Sequence, residues 1–230
     1  MSVAALYDVH GNLPALEAVL DEVDADLILV GGDVAAGPWP SETLERLRGL
    51  GDRARFIRGN ADREVAEVGV RGLAPPEVMD FVRGRLSEEQ VTFLGSLPLT
   101  SSVEVDGLGS VLFCHATPRN DEEIFTRISP DERWLQALDG VQADVVVCGH
   151  THVQFSRTVG DTLLVNSGSI GMPYEHEPGA YWTLLGPDVE FRRTDYEPGD
   201  IAGSGWPGDW PSPTPEEATE FFERASRERA

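Results

Sequence analysis

The chain has 230 residues, 40% of them hydrophobic and 8% aromatic, which suffices for the core of one large domain or two small ones. Its 40 acidic residues outnumber 18 basic ones, and the net charge of −22 disfavours binding to long nucleic acid or to anionic membranes. Every basic residue is arginine, which excludes lysine-dependent chemistry such as a phosphate-binding P-loop or a Schiff base.

The first third of the chain predicts alternating strands and helices. Apolar runs at 3–6 and 27–30 indicate buried strands, and Arg55-Phe56-Ile57 indicates a third strand. Helical spacing follows Asn12 and Ser41, which are placed to cap helices. This β-α-β-α-β order is typical of a parallel sheet with right-handed crossovers. The carboxyl ends of its strands should converge on one edge, where open α/β sheets bind ligands.

The middle of the chain predicts helices and then strands. We expect one helix over 75–85 and another from the capping box at Ser87 to about Leu97. Four further elements follow, namely strands over 101–105, 110–114 and 145–148 and a helix over 130–138. From Val153 onward the pattern predicts a second, antiparallel or mixed sheet. Its strands are expected at 154–159, 163–166, 180–185 and 189–193.

The last part of the chain predicts a connection rich in Gly, Pro and Trp over 199–213, followed by a helix capped by Thr214. The apolar face expected for this helix consists of Ala218, Phe221, Phe222 and Ala225. Without an internal repeat or a domain boundary, residues 1–230 are predicted to form one domain, in which 199–230 supply the connection and the C-terminal helix.

We expect neither a signal peptide nor a membrane span, because the chain enters a strand at once and its apolar runs are short. Cys114 and Cys148 each end an apolar run, which favours small buried thiols over a disulfide. These features predict a cytoplasmic protein.

Polar side chains follow the ends of five predicted segments. They are Asp8, His10, Asp33, Asn60, His115, His150 and His152. The pairs Asp8/His10 and His150/His152 are two residues apart, so each pair faces one side of an extended chain. Four of the 5 histidines belong to this set. So many ligands exceed the needs of one ion, and two ions about 3.5–4 Å apart that share a carboxylate fit better.

These pieces, in this order, resemble the calcineurin-like metallophosphoesterases. The matching motifs are Asp8-Val9-His10, Gly32-Asp33, Gly59-Asn60-Ala61-Asp62, His115 and Gly149-His150-Thr151-His152. The loop from Asn166 to Pro173, and Gly37-Pro38 after Gly32-Asp33, are similar to the small YfcE-like branch. The resemblance implies an α/β fold, a four-layer α/β/β/α sandwich of two mixed β-sheets flanked by helices.

The resemblance also implies two divalent metal ions bridged by Asp33. The first ion would be bound by Asp8, His10, Asp33 and His152. The second would be bound by Asp33, Asn60, His115 and His150. Imidazole, carboxylate and amide ligands suit Mn, Fe or Zn, and the family favours Mn. The implied reaction is hydrolysis of a small phosphate ester, a diester or a monoester, by a metal-bridging hydroxide, with His115, Asn60 and Asp33 as catalytic residues.

The sequence departs from the family pattern at two positions. Ala61 occupies the place of a histidine that assists the leaving group, and Ala36 lies near the place of an aspartate. His176 is a candidate proton donor, although an exposed loop histidine is the alternative interpretation. Arg119 is a candidate for binding the substrate phosphate and equally a candidate surface arginine.

A second function stays open, in which the chain is a catalytically weak, metal-bearing scaffold for protein interaction. Trp206 and Trp210 would then mark a partner surface, whereas in an enzyme they would fold back on the body. The intact set of seven ligands favours the enzyme. Cleavage of nucleic acid is a third option, which the acidic surface opposes for long chains but not for short nucleotides. The sequence does not predict the oligomeric state.

Overall fold

The computed structural model describes residues 1–67, 69, 72, 74–207 and 209–228, and within them ten strands form two five-stranded sheets. The strands are β1 (Val3–Leu6), β2 (Leu27–Val30), β3 (Ala54–Phe56), β4 (Thr100–Val105), β5 (Gly109–Cys114), β6 (Val145–Cys148), β7 (Phe155–Val159), β8 (Thr162–Asn166), β9 (Ala180–Leu185) and β10 (Val189–Thr194). The α-helices in these residues are α1 (Leu13–Glu22), α2 (Pro40–Arg48), α3 (Asn60–Ala66), α4 (Pro76–Arg83), α5 (Glu88–Gly95), α6 (Asp131–Ala137) and α7 (Pro215–Glu228). None of the described helices is long and apolar enough to cross a membrane.

The first sheet has the order β10-β9-β1-β2-β3, and the second has the order β4-β5-β6-β8-β7. Strands β1, β2 and β3 are parallel, as the β-α-β-α-β pattern predicted. The expectation that the late strands form a sheet of their own is wrong. Strands β7 and β8 belong to the same sheet as β4, β5 and β6, where β8 pairs with β6. Strands β9 and β10 instead extend the first sheet, where β9 pairs antiparallel with β1 and Val3 lies opposite Leu185. The local pattern identifies a strand but does not identify its distant partner.

The two sheets pack face to face between layers of helices. On β1, Ala4 and Leu6 belong to the core cluster that contacts α1, whereas Val3 and Ala5 belong to the cluster between the sheets. A third cluster, which includes Trp134 of α6, covers the other face of the second sheet. This alternation along one strand places one face on a helix layer and the other on the facing sheet. The predicted four-layer α/β/β/α sandwich is confirmed.

Tyr7 fills the gap between the two sheets just before the polar loops. Its side chain is fully buried, and its hydroxyl donates to the Val147 carbonyl at 3.0 Å. A Cβ atom on Gly31 would lie 2.2 Å from the ring, and one on Gly149 would lie 2.5 Å from it. Both positions therefore require glycine, because any side chain there would displace the tyrosine.

The helix termini confirm three predicted caps and correct one. Ser87 caps α5 in the predicted capping box, where its hydroxyl accepts from the Gln90 N–H at 3.2 Å. Asn12 caps α1 by accepting from the Ala15 N–H at 3.3 Å. Thr214 and Glu217 form the expected bonds at the start of α7. Ser41, by contrast, lies inside α2, which begins at Pro40 with Trp39 as its N-cap. Proline favours the first helical position because its fixed φ suits a helix and its missing N–H needs no partner there.

The C-terminal segment folds back on the body. The ring of Trp206 lies edge-on to Phe81 of α4, with their centroids 5.4 Å apart, and also contacts Trp210 at 5.3 Å. In α7, Phe222 is buried, but Phe221 is 45% exposed, so the predicted burial of Phe221 is wrong. Phe221 lies about 100° around the helix from Phe222, and the buried face follows the spacing of Ala218 and Phe222 instead.

Candidate metal centre

The loops at one end of both sheets bring the seven predicted polar residues together. Asp8, Asp33 and Asn60 follow strands of the first sheet, whereas His115 and His150 follow strands of the second. The sequence predicted convergence at one edge of a parallel sheet, but the site lies between the strand ends of two facing sheets. The face-to-face packing of the two sheets therefore assembles the site, because each sheet contributes only some of its polar groups.

One group of ligand atoms surrounds Asp8. Its Oδ1 atom lies 3.3 Å from Nε2 of His152 and 3.8 Å from Nε2 of His10. The two imidazole Nε2 atoms are 3.2 Å apart. Atoms bound to one ion at about 2.1 Å each lie roughly 3 Å apart, so these three side chains have the spacing that a single cation requires.

A second group adjoins the first through the two aspartates. Nε2 of His115 lies 3.6 Å from Asp33 Oδ2, 3.9 Å from Asp8 Oδ1 and 3.2 Å from Asn60 Oδ1. Asp33 Oδ2 also lies 3.8 Å from Nε2 of His10. Both carboxylates therefore lie between the histidines of the two groups, and the geometry suits either aspartate as a bridge.

The backbone orients three of the four imidazoles. Nδ1 donates to a carbonyl oxygen in His10, His115 and His152, at 3.1, 2.9 and 2.7 Å respectively. The acceptors are the carbonyls of Ala36, Gly31 and Met172. A proton on Nδ1 leaves the lone pair of Nε2 directed at the centre, which is the arrangement that metal-binding histidines adopt.

Six buried side-chain polar atoms have no hydrogen-bond partner among the described residues, and two of them, Asp8 Oδ1 and His150 Nε2, lie at the site. An unpaired buried polar atom costs roughly 1–3 kcal/mol, so native proteins seldom leave one without a ligand. The backbone N–H of His150 donates to Asp8 Oδ2 at 2.9 Å, which keeps the two residues adjacent. The donor set and its orphaned atoms therefore fit divalent metal ions.

Five non-glycine residues within the described ranges have a left-handed backbone, and all five belong to the site. Their φ angles are 52° for Asp8, 45° for His10, 51° for Asp33, 65° for His150 and 59° for His152. Such conformations are uncommon outside glycine and persist only where the surrounding structure enforces them. The backbone is thus strained at these five positions, and the surrounding structure holds their side chains toward the centre.

Several residues that the sequence did not single out hold the loops in place. Asp62 accepts from the backbone N–H groups of Asp33, Gly59 and Val34 at 2.8, 2.9 and 3.0 Å. The Ser169 hydroxyl donates to the Asp8 carbonyl at 2.7 Å. Asp62 and Ser169 lie within the motifs that carried the family resemblance, but their roles depend on the directions of backbone groups, which no spacing reveals.

The Asn60 amide is fixed on both sides. Its Nδ2 donates to Oε1 of Glu64 at 3.2 Å, while its Oδ1 faces His115 Nε2. Glu64 is only 2% exposed, and burial raises the pKa of its carboxyl group. The contact with Glu64 determines which amide atom points to the centre.

Burial and mutual charge set the proton affinities of the site. Burial lowers the pKa of His10 to about 3 and that of His150 to about 3. Burial also raises the pKa of Asp33 well above its usual range. For His115, burial opposes the charged form, but Asp33 and Asp8 outweigh it and raise the pKa. Burial thus keeps His10 and His150 neutral, the state in which imidazole binds a metal ion, and a bound cation would stabilise the charged form of Asp33.

The two predicted substrate contacts are engaged in other pairs. The Nε atom of Arg119 donates to Glu123 at 2.9 Å, and its Nη1 atom donates to the Gln136 carbonyl at 3.2 Å. The side chain of His176 is 67% exposed, with Nε2 3.4 Å from Glu216. Both roles stay predictions. Ala61 is buried beside the centre and donates its N–H to Asp33 Oδ1 at 2.8 Å.

Comparison with known proteins agrees with this geometry. Residues 1–185 match the family described as the calcineurin-like phosphoesterase superfamily domain. The chain belongs to this superfamily. It is therefore a hydrolase of the phosphoesterase class, and the predicted family is confirmed.

Relatives of this phosphoesterase cover most of its length. An uncharacterized protein of Methanocaldococcus jannaschii is 29% identical over 185 residues, which is 73% of this chain and 69% of the relative. The phosphodiesterase YfcE of Escherichia coli is 28% identical over 196 residues, 80% of this chain and 87% of the relative. The crystal structure of a metallophosphoesterase from Sphaerobacter thermophilus superimposes with a TM-score of 0.71 at 25% identity, covering 90% of this chain and 95% of that one.

Proposed function

We propose that the chain hydrolyses a small phosphodiester with two divalent metal ions held by the seven converging residues. The observation that carries the proposal is the set of imidazole and carboxylate atoms aimed at one point, with Asp8 Oδ1 and His150 Nε2 buried and unpaired within the described structure. Asp8, His10 and His152 would bind one ion, and Asn60, His115 and His150 the other, with Asp33 between them.

When bound, the two ions supply a water-derived nucleophile at neutral pH and stabilise negative charge on the phosphoryl oxygens. The protein would fix the positions of the ligands and keeps six of the seven buried, which strengthens electrostatic interactions at the centre. Two divalent cations exceed the charge of Asp8 and Asp33. That local excess attracts phosphate in a chain whose net charge is −22.

We further propose Mn²⁺ as the activating ion and the cytoplasm as the compartment of action. Imidazole, carboxylate and amide ligands accept Mn, Fe or Zn, and the family resemblance favours Mn. The two cysteines, Cys114 and Cys148, are free and buried, which agrees with a reducing compartment.

Ala61 supports a preference for diesters and for acidic leaving groups. The methyl group of alanine donates no proton, so the leaving group must depart largely as an anion or with help from water. A general acid typically contributes about 10²–10⁴-fold to the rate. A diester also carries less negative charge than a monoester into an acidic protein.

The test is a rate series with Mn²⁺ over aryl phosphate esters of graded leaving-group pKa, in the parent protein and in Ala61→His. We expect rates in the parent to fall steeply as that pKa rises, and Ala61→His to flatten the dependence by helping poor leaving groups most. A flat series in the parent would contradict the role of Ala61. If neither protein turned over any ester with both ions bound, the scaffold function would replace the proposed one.

A further inference from the structure

We propose that helix α7 holds the loop of His150 and His152 in its metal-binding conformation, and that Phe222 is the positioning residue through which the helix acts. This inference rests on the metal centre of the proposed function. It adds that the affinity of the centre depends on docking of the last helix of the described chain.

The loop needs external support because it is strained. His150 and His152 both have left-handed φ angles, 65° and 59°, two residues apart. A non-glycine residue in this region costs roughly 1–2 kcal/mol, so the loop would relax if its surroundings released it. Relaxation would turn both imidazoles away from the centre.

Aromatic rings brace both histidines from the side of α7. The Phe222 ring lies 6.2 Å from the His150 ring and 6.3 Å from the Tyr174 ring, and Tyr174 in turn lies 4.7 Å from His152. Phe222 is 5% exposed and packs in one apolar cluster with Val153, the residue next to His152. Phe222 therefore packs beside His150 directly and beside His152 through Tyr174, and these two histidines belong to different proposed ions.

A buried carboxylate anchors α7 to the body. Glu223, the neighbour of Phe222, is 8% exposed and accepts from the hydroxyls of Thr126 and Ser129 at 2.6 and 2.5 Å. These hydrogen bonds fix the helix to the segment after His115. Helix α7 lies outside residues 1–185, the part that matches the superfamily.

Coupling between two binding events is reciprocal. If a docked α7 increases metal affinity by some factor, bound metal must favour docking by the same factor. The coupling can therefore be measured from the metal side, by titration, and from the helix side, by hydrogen exchange of the α7 amides.

The chain offers a matched pair of variants for the titration. Phe222→Ala removes the buried ring, whereas Phe221→Ala removes the adjacent ring, which is 45% exposed. We expect Phe222→Ala to weaken Mn²⁺ binding about tenfold, in the range typical for residues that orient ligands, and Phe221→Ala to change it less than about twofold. Phe222→Leu should restore most of the affinity. Mn²⁺ should slow hydrogen exchange in α7 of the parent.

Parent affinity for Mn²⁺ in Phe222→Ala, together with faster exchange in α7, would overturn the inference. If Phe222→Ala does not fold, Glu223→Ala provides the second variant, because it releases the helix anchor without removing the ring. The expected result is again weaker Mn²⁺ binding, and unchanged affinity would overturn the proposal. Both measurements need no substrate, so a lack of hydrolysis would contradict the proposed function alone, whereas a parent that binds no Mn²⁺ would overturn both.

Discussion

The two proposed ion positions are built by different means. At the first, the imidazoles of His10 and His152 are both held by backbone carbonyls, and both residues are buried. At the second, the Gly31 carbonyl holds the His115 imidazole in the same way, but Asn60 is half-buried and is oriented by the side chain of Glu64. His150 there has no partner for Nε2 among the described residues. Backbone supports survive most substitutions, but side-chain supports do not, so the second position should lose its ion more easily.

The largest expected effect comes from Asp33, the proposed bridge between the two positions. Asp33→Asn should lower the occupancy of both ions and reduce hydrolysis by more than about 100-fold, beyond the 10–100-fold typical for outer-shell residues. Metal analysis and steady-state rates measure this. Asp24→Asn, an exposed site with the same change of charge, is the control. Two ions and parent activity in Asp33→Asn would exclude Asp33 as the bridge.

Acidification of the metal-free protein tests one histidine from each position. The folded-state pKa of His10 and that of His150 are about 3, below the unfolded value of about 6.5. The unfolded chain therefore takes up these protons first, and stability is lost as the pH falls from about 6.5 toward 3. Each group contributes a slope of up to about 1.4 kcal/mol per pH unit.

The raised pKa values of Asp33 and His115 act with the opposite sign, because the folded state holds those protons more tightly. Urea unfolding of metal-free protein at several pH values measures the sum, which we expect to decrease below about pH 6.5. In His10→Asn the slope should be shallower. A free energy of unfolding that is constant from neutral pH to pH 4 would contradict the lowered pKa values of His10 and His150.

Glu64 provides a change confined to the second position. Glu64→Ala removes the acceptor for Asn60 Nδ2. It should lower the affinity for one of the two Mn²⁺ ions by about 10–100-fold and leave the affinity for the other unchanged. Glu64→Gln keeps an acceptor and should lie close to the parent. Calorimetric titration separates the two binding events. Equal weakening of both ions by Glu64→Ala would show that the positions are not supported independently.

The smallest effect is expected at Arg119, outside both positions. Its guanidinium is engaged by Glu123, so Arg119→Ala should change the KM for a phosphate ester by less than about twofold and stability by roughly 0.5 kcal/mol, as for other exposed ion pairs. A large increase in KM would restore the substrate contact that the sequence suggested.

The convergence of the seven polar residues could be predicted because most of them follow a short apolar run that ends abruptly. Asp8 follows Leu6, and His150 follows Cys148, with only one residue between strand and ligand in each case. Chain order alone then placed these polar residues at strand ends, and their assignment to two ions stays a prediction from the family resemblance.

Features that depend on distant partners escaped the sequence. Strand β9 pairs with β1 across most of the chain, and nothing within 180–185 distinguishes that partner from β8. Two of the backbone N–H groups that donate hydrogen bonds to Asp62 belong to Asp33 and Val34, in another loop. Phe221 and Phe222 are identical in type, and only packing decides which of them is buried.

The Tyr7 ring has a mechanical consequence for the centre. It lies between Gly31 and Gly149, directly before Asp8 and His150, so a single aromatic side chain acts as a spacer between the two sheets. Each sheet supplies polar groups to the candidate centre, and the Tyr7 ring separates the strand ends from which those groups come. Tyr7 therefore keeps the two halves of the centre apart whether or not an ion is bound.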